Sequence, residues 1–203
     1  MPEPEARPAF TALDVYRNFE HRYSVLYPEG WQQLDLETEE GGQGVIFAPP
    51  PGDAATSFSV EARDLGMTVG EDDLPALRAG FLAGLRRLPK SRIQDQEEYA
   101  VGKLIGLEAR QVYREGATPR KRWVRLLYQG STQVRLIAQG ATAEEFDYWL
   151  PMFNQMMRTF RFGDWWAELT GQEWLPSLKT AEEEEEAGDA GDAGEQAPAT
   201  GPT

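Results

Sequence analysis

The sequence has no cysteine and a single histidine, His21. Without cysteine there are no disulfides, no thiolate metal sites and no cysteine nucleophile, and the redox compartment stays open. A lone imidazole cannot build a His/Cys metal cluster or a Cys/His pair. Lying beside Arg22 just ahead of the first strand, His21 reads as a surface loop residue. Positive charge is also scarce: 20 Lys and Arg stand against 34 Asp and Glu, a net charge of -14. That balance argues against a nucleic-acid partner, whose phosphates require a basic surface. No apolar run approaches the roughly 18 residues of a membrane-spanning helix, so no membrane insertion is expected. The start, MPEPEARPAF, carries acids and prolines where a secretory signal has a basic region and an apolar run, so the expected location is the cytoplasm.

At 203 residues the chain suits one domain with tails. The acidic excess is uneven. From Pro176 onward there are eight acids against Lys179 alone, about half of the whole excess. Residues 1–9 are proline-rich and charged and read as a flexible arm, followed by a domain over 10–162. Residues 163–178 form a tryptophan-rich extension, and 179–203 a disordered acidic tail without large apolar side chains. The tail reads as a solubilising segment or as a lure for a basic partner.

The richest apolar stretch is 142–162, TAEEFDYWLPMFNQMMRTFRF. Phe146, Trp149, Leu150, Phe153, Met156, Met157 and Phe160 recur mostly at steps of three and four, which predicts an amphipathic core helix. Thr142 with Glu145 three residues later is a capping box. Pro151 predicts a kink, or a fresh helix starting there. A second helix is expected over 73–88, capped by Asp72 or Asp73, with Leu74, Leu77, Phe81, Leu85 and Leu88 on one stripe.

Strand signals fill the rest. Tyr23, Val25 and Tyr27 alternate with Ser24 and Leu26, and Pro28-Glu29-Gly30 turns the chain into a second strand at Trp31. The run EEGGQG at 39–44 reads as a turn; it lacks the lysine and the strand-to-helix setting of a phosphate loop. Phe58, Val60 and Ala62 face one way, with Ser57, Ser59, Glu61 and Arg63 facing the other. Four further strands, at Arg92–Val101, 103–114, 120–129 and Thr132–Gln139, are punctuated by glycines at hairpin spacing. The economical assembly is an α+β domain, an antiparallel sheet with helices packed on it.

Three places could carry function. Trp165, Trp166 and Trp174 either fold back over an edge or form a patch for a partner protein. Arg114, Arg120, Lys121, Arg122, Arg125 and Arg135 could give a positive sheet face for an acidic segment. A pocket between the sheet and the helix bearing Trp149 and Phe153, with Trp31, would instead take a small molecule or lipid. The carboxylates lie mostly in charge runs, which do not specify acid/base pairs, so no catalytic residue and no cofactor are expected.

YSVLYPEGW at 23–31, the strand GVIFAPP, the helix ending near Leu88, the strand bearing Gly106-Leu107-Glu108-Ala109, and FDYWLPMFNQMMRTFRF come in an order that resembles the PsbP-like superfamily. The most recognisable parts are Tyr27-Pro28-x-Gly30-Trp31 and the closing Thr159-Phe160-Arg161-Phe162. The resemblance implies an α-β-α sandwich and mostly non-enzymatic work: binding, assembly or chaperoning of other proteins. Many bacterial relatives are exported or lipid-anchored, a pattern from which this sequence departs. The calcium or manganese connection of photosynthetic relatives does not carry over, because their ligand positions have no match here.

Overall fold

The computed structural model describes residues 12–37, 43–52 and 54–163, together with Pro8. The rest of the arm at 1–9, part of the 39–44 turn, the tryptophan-rich extension after Gly163 and the acidic tail lie outside the described residues.

Ten strands and two helices follow in the order β1 (Leu13–Asn18), β2 (Tyr23–Pro28), β3 (Gln32–Glu37), β4 (Gln43–Ala48), β5 (Ser57–Asp64), α1 (Leu74–Arg86), β6 (Arg92–Val101), β7 (Leu104–Glu115), β8 (Thr118–Gln129), β9 (Thr132–Gln139), α2 (Ala143–Thr159) and β10 (Arg161–Phe162). The meander β6 to β9 falls almost on its predicted bounds. Gln43 and Gly44, read as turn, instead begin β4, where a side chain on Gly44 would collide with the Val60 carbonyl.

Seven strands form one antiparallel sheet in the order β3-β4-β5-β9-β8-β7-β6, and β1-β2-β10 form a second, smaller one. Because β5 pairs with β9, the chain crosses the sheet through α1 before the meander returns it. Strand parity then divides the core. Trp123 and Leu127 of β8, with Phe58, Val60, Leu136 and Phe153, pack on the side of α2 and the small sheet. Val124 and Tyr128, one residue along, pack with Ile105, Leu107, Phe81 and Leu85 on the side of α1. The helices therefore cover opposite faces, an α-β-α arrangement.

Two local expectations change. Of the two expectations at Pro151 the fresh start does not occur: the second helix continues through the proline, and Met152, Phe153, Met156 and Met157 beyond it share the buried face begun by Phe146. Strand β2 is buried along its whole length and not on alternate residues. Its second face is closed by the end of α2 and by β10: the Leu26 amide meets Thr159 Oγ1 at 3.3 Å, and Ser24 Oγ donates to the Gly163 carbonyl at 3.1 Å.

The helix starts also differ in detail. Thr142 Oγ1 accepts the Glu145 amide as the capping box requires, but the Glu145 carboxylate accepts from the Thr56 hydroxyl. Thr56 Oγ1 in turn accepts the Ala141 amide at 2.9 Å, so the cap ties α2 to the start of β5. Asp73 precedes α1 as its N-cap, yet its carboxylate reaches back to the Gly70 amide at 2.9 Å. Among the described residues, no helix is long and apolar enough to cross a membrane.

Candidate functional site

The arginines of β8 do not form one patch, because adjacent strand positions face opposite ways. Arg120 is 7% exposed and fully engaged with backbone: Nε donates to the Gly140 carbonyl at 3.0 Å and Nη2 to that of Ala55, while Nη1 meets Glu115. It fastens the turn before β5 to the end of β9. Arg125 lies on the α2 face, where it pairs with Glu108. Trp31, Trp149 and Phe153 pack against each other edge to face, with Trp31 centroids 5.4 Å from Trp149 and 6.2 Å from Phe153. Trp165, Trp166 and Trp174 lie outside the described residues.

Arg122 differs from its neighbours. It projects on the α1 side, where Nη2 donates to Gln139 Oε1 at 2.8 Å and the guanidinium lies 5.2 Å from the Tyr113 ring. Its Nε is buried without a hydrogen-bond partner. Burial, the largest influence, pushes its pKa down, with Tyr113 opposing and Arg120 adding to the effect.

This side chain lines a cleft of about 570 Å³ between α1 and the sheet. The floor is made by β5, β9 and β8, which present Arg63, Arg135, Ile137, Arg122, Val124 and Leu126. The helix wall carries Ala76, Gly80 and Gly84, spaced four residues apart and so aligned in one row along the helix. A Cβ built on Gly80 or Gly84 meets nothing within 4 Å, so that row faces open space. Leu77, Phe81 and Leu85 form the next row and anchor the helix on the sheet.

The electrostatics of the cleft invert those of the chain. Arg63, Arg87, Arg122 and Arg135 line it, and no Asp or Glu does. Glu61, 5% exposed on the floor strand, pairs with Arg135, whose side chain remains 47% exposed. Arg63 Nε donates to Gln133 Oε1, and Gln133 Nε2 to the Tyr128 hydroxyl at 2.8 Å, which orders the far end. Among the described residues, no group of three or more His, Asp or Glu side chains could hold a metal ion. This cleft lies beside α1, a different place from the pocket the sequence suggested beside Trp31, Trp149 and Phe153. The available signal was the row Ala76, Gly80, Gly84, three small residues beside an otherwise leucine-rich stripe.

No known family profile matches the sequence, and no curated protein does. Solved structures do. Cyanobacterial PsbP from Synechocystis sp. PCC 6803 aligns with a TM-score of 0.55 at 13% identity, over 76% of this chain and 94% of that one. LpqN of Mycobacterium tuberculosis, involved in cell envelope biogenesis, aligns with a TM-score of 0.49 at 15% identity, over 70% and 83%. The Saccharomyces cerevisiae Ran-binding protein Mog1p aligns with a TM-score of 0.46 at 13% identity, over 75% and 96%. The first of these establishes that the chain has the PsbP-like fold.

Proposed function

We propose that this PsbP-like fold serves as a non-enzymatic binding module, of the assembly or chaperone kind, which receives another protein in the cleft beside α1. What supports the reading is that two features unfavourable to the fold meet at one place. Gly80 and Gly84 sit in the interior of a helix, where each costs about 0.5–1 kcal/mol relative to alanine. The Arg122 Nε atom is buried without a partner, a burden of about 1–3 kcal/mol. Folding alone gains nothing from either, and both border the same cavity. Departures from local optimum gather at functional sites.

The cavity's size supports a second reading, a small-molecule or lipid site, since such pockets span about 300–1,000 Å³. It stands beside α1 and not beside α2, where the sequence suggested it.

A photo-crosslinking side chain at Leu88, on the rim of the cleft, tests the first reading in the native host. The expected result is a discrete protein adduct that disappears when Gly84→Leu fills the cleft. Adducts unchanged by the filled cleft would argue against this site.

A further inference from the structure

We infer that the cleft recognises a short extended polypeptide segment with acidic side chains at its two ends and apolar side chains between, Arg122 and Arg135 each taking one carboxylate; this rests on the binding-module reading above.

The charge argument comes first. In a chain of net charge -14, a cleft lined by four arginines and no acid selects an anionic occupant. Arg122 has a buried donor already stripped of water and unpaired, so a carboxylate gains a charge-assisted hydrogen bond there with little further desolvation of the protein. Arg135, whose ion pair among the described residues is with Glu61, keeps 47% of its side chain exposed to a ligand in the cleft.

Spacing argues for a segment and not a single anion. Arg122 is paired with Gln139, and Arg135 lies four residues from Gln139 along β9, about 13 Å of strand. Val124 and Ile137, paired with each other, occupy the floor between the two cations, and Leu126 lies beside Arg135. The floor therefore reads cation, apolar, cation. An extended segment of five residues spans the same distance and points its first, third and fifth side chains to one side. Acids at the first and fifth positions then meet the arginines, and an apolar third residue covers Val124 and Ile137. The second and fourth side chains point towards α1, where Gly80 and Gly84 leave room for them.

The test is fluorescence anisotropy on the full chain with a labelled probe, Gly-Glu-Leu-Leu-Leu-Glu-Gly, beside the same peptide with Gln for both Glu. We expect saturable binding of the acidic probe that weakens as salt rises, with the Gln probe weaker by roughly tenfold to a hundredfold. Gly84→Leu should abolish binding, and Arg122→Gln should weaken it, though by less than loss of both carboxylates does. Should Arg122→Gln fail to fold, Arg135→Gln, at an exposed side chain, replaces it with the same expected direction. Equal binding of the two probes, or no effect of Gly84→Leu, overturns the inference. So does binding of dodecanoate in the cleft where the peptide fails to bind. If the probe fails but the Leu88 crosslink persists and is lost in Gly84→Leu, only the acidic-segment chemistry falls; if both fail, the binding-module reading falls with it.

Discussion

Arg125 on β8 and Glu108 on β7 are directly paired across the ladder, with Nε 2.6 Å from Oε2. The same guanidinium donates from Nη1 to the Met157 carbonyl at 2.6 Å, and the other carboxylate oxygen accepts the Trp123 indole N–H at 2.6 Å. One ion pair thus ties the last turns of α2 to the centre of the sheet.

Both partners are largely withdrawn from water, at 19% and 14% exposure, so removing one leaves the other charge uncompensated. Arg125→Ala should lower the unfolding free energy by about 3–5 kcal/mol. The double change Arg125→Met with Glu108→Leu should recover most of that loss. Urea titrations of the three proteins measure both effects, and equal stability of the single and double variants would contradict the pairing argument.

Two glycines should respond to alanine with opposite signs. A Cβ on Gly140 would lie 2.5 Å from both the Phe146 amide nitrogen and the Thr142 carbonyl oxygen, backbone atoms at the start of α2 that cannot move aside without breaking its cap. Gly140→Ala should destabilise by about 2–3 kcal/mol. Gly84→Ala adds its methyl group to open space inside a helix and should stabilise by about 0.5–1 kcal/mol. Thermal melts of the two variants decide it.

Much of this fold was legible in local pattern. Period-2 alternation and glycine spacing placed β6 to β9, and Thr142 with Glu145 placed the start of α2, because hairpins and caps are set by neighbouring residues. What was not legible depends on distant chain. The burial of Ser24 and Leu26 comes from Thr159 and Gly163, more than 130 residues away, which no alternation within β2 can announce. Pro151 does not restart the helix for a similar reason, since the apolar face of the whole helix outweighs one lost hydrogen bond. The arginine cluster divides for a different reason. Parity alone separates Arg125 from Arg120 and Arg122, and the small-residue row of α1 was present in the sequence, but only the packing of α1 on β7, the neighbour of β8 in the sheet, brings that row beside Arg122.

Tyr23 predicts a pH dependence. Its side chain is fully buried, its hydroxyl has no hydrogen-bond partner, and burial, with the nearby Tyr16 adding to it, raises its pKa far above the usual value near 10. Burial raises Tyr99 and Tyr128 in the same direction. A raised phenol pKa means the native state holds its proton where the unfolded chain has lost it. The stabilising contribution is complete below about pH 10 and declines as pH climbs above it. Stability should therefore fall steeply from pH 10 upward. Tyr23→Phe should shallow that decline, and at pH 8 it should leave stability equal or slightly higher, because the hydroxyl it removes was unpaired. Chemical denaturation at pH 8 and pH 11 checks both statements; an unchanged slope in Tyr23→Phe would mean that the phenol is solvated.

Arg122 offers a test that separates a structural from a recognition role. If this arginine were kept for folding, as Arg120 is, replacing it would destabilise the protein and any loss of binding would follow from that. Its position argues the reverse. The guanidinium has a hydrogen bond to Gln139, contacts with Tyr113 and an unpaired Nε, a poor return for a charge held in a largely dehydrated site. Methionine reaches about as far as the arginine Nε and would lie beside Val124 without a desolvation penalty. Arg122→Met should accordingly hold or raise the melting temperature by a few degrees, a gain of about 0–2 kcal/mol, while acidic-probe binding weakens. Arg120→Met, by contrast, strips partners from the Gly140 and Ala55 carbonyls and should lose about 2–4 kcal/mol. Opposite signs of stability change at two arginines on one strand face, measured side by side, would mark Arg122 as retained for what it binds; two losses of equal size would return it to the scaffold.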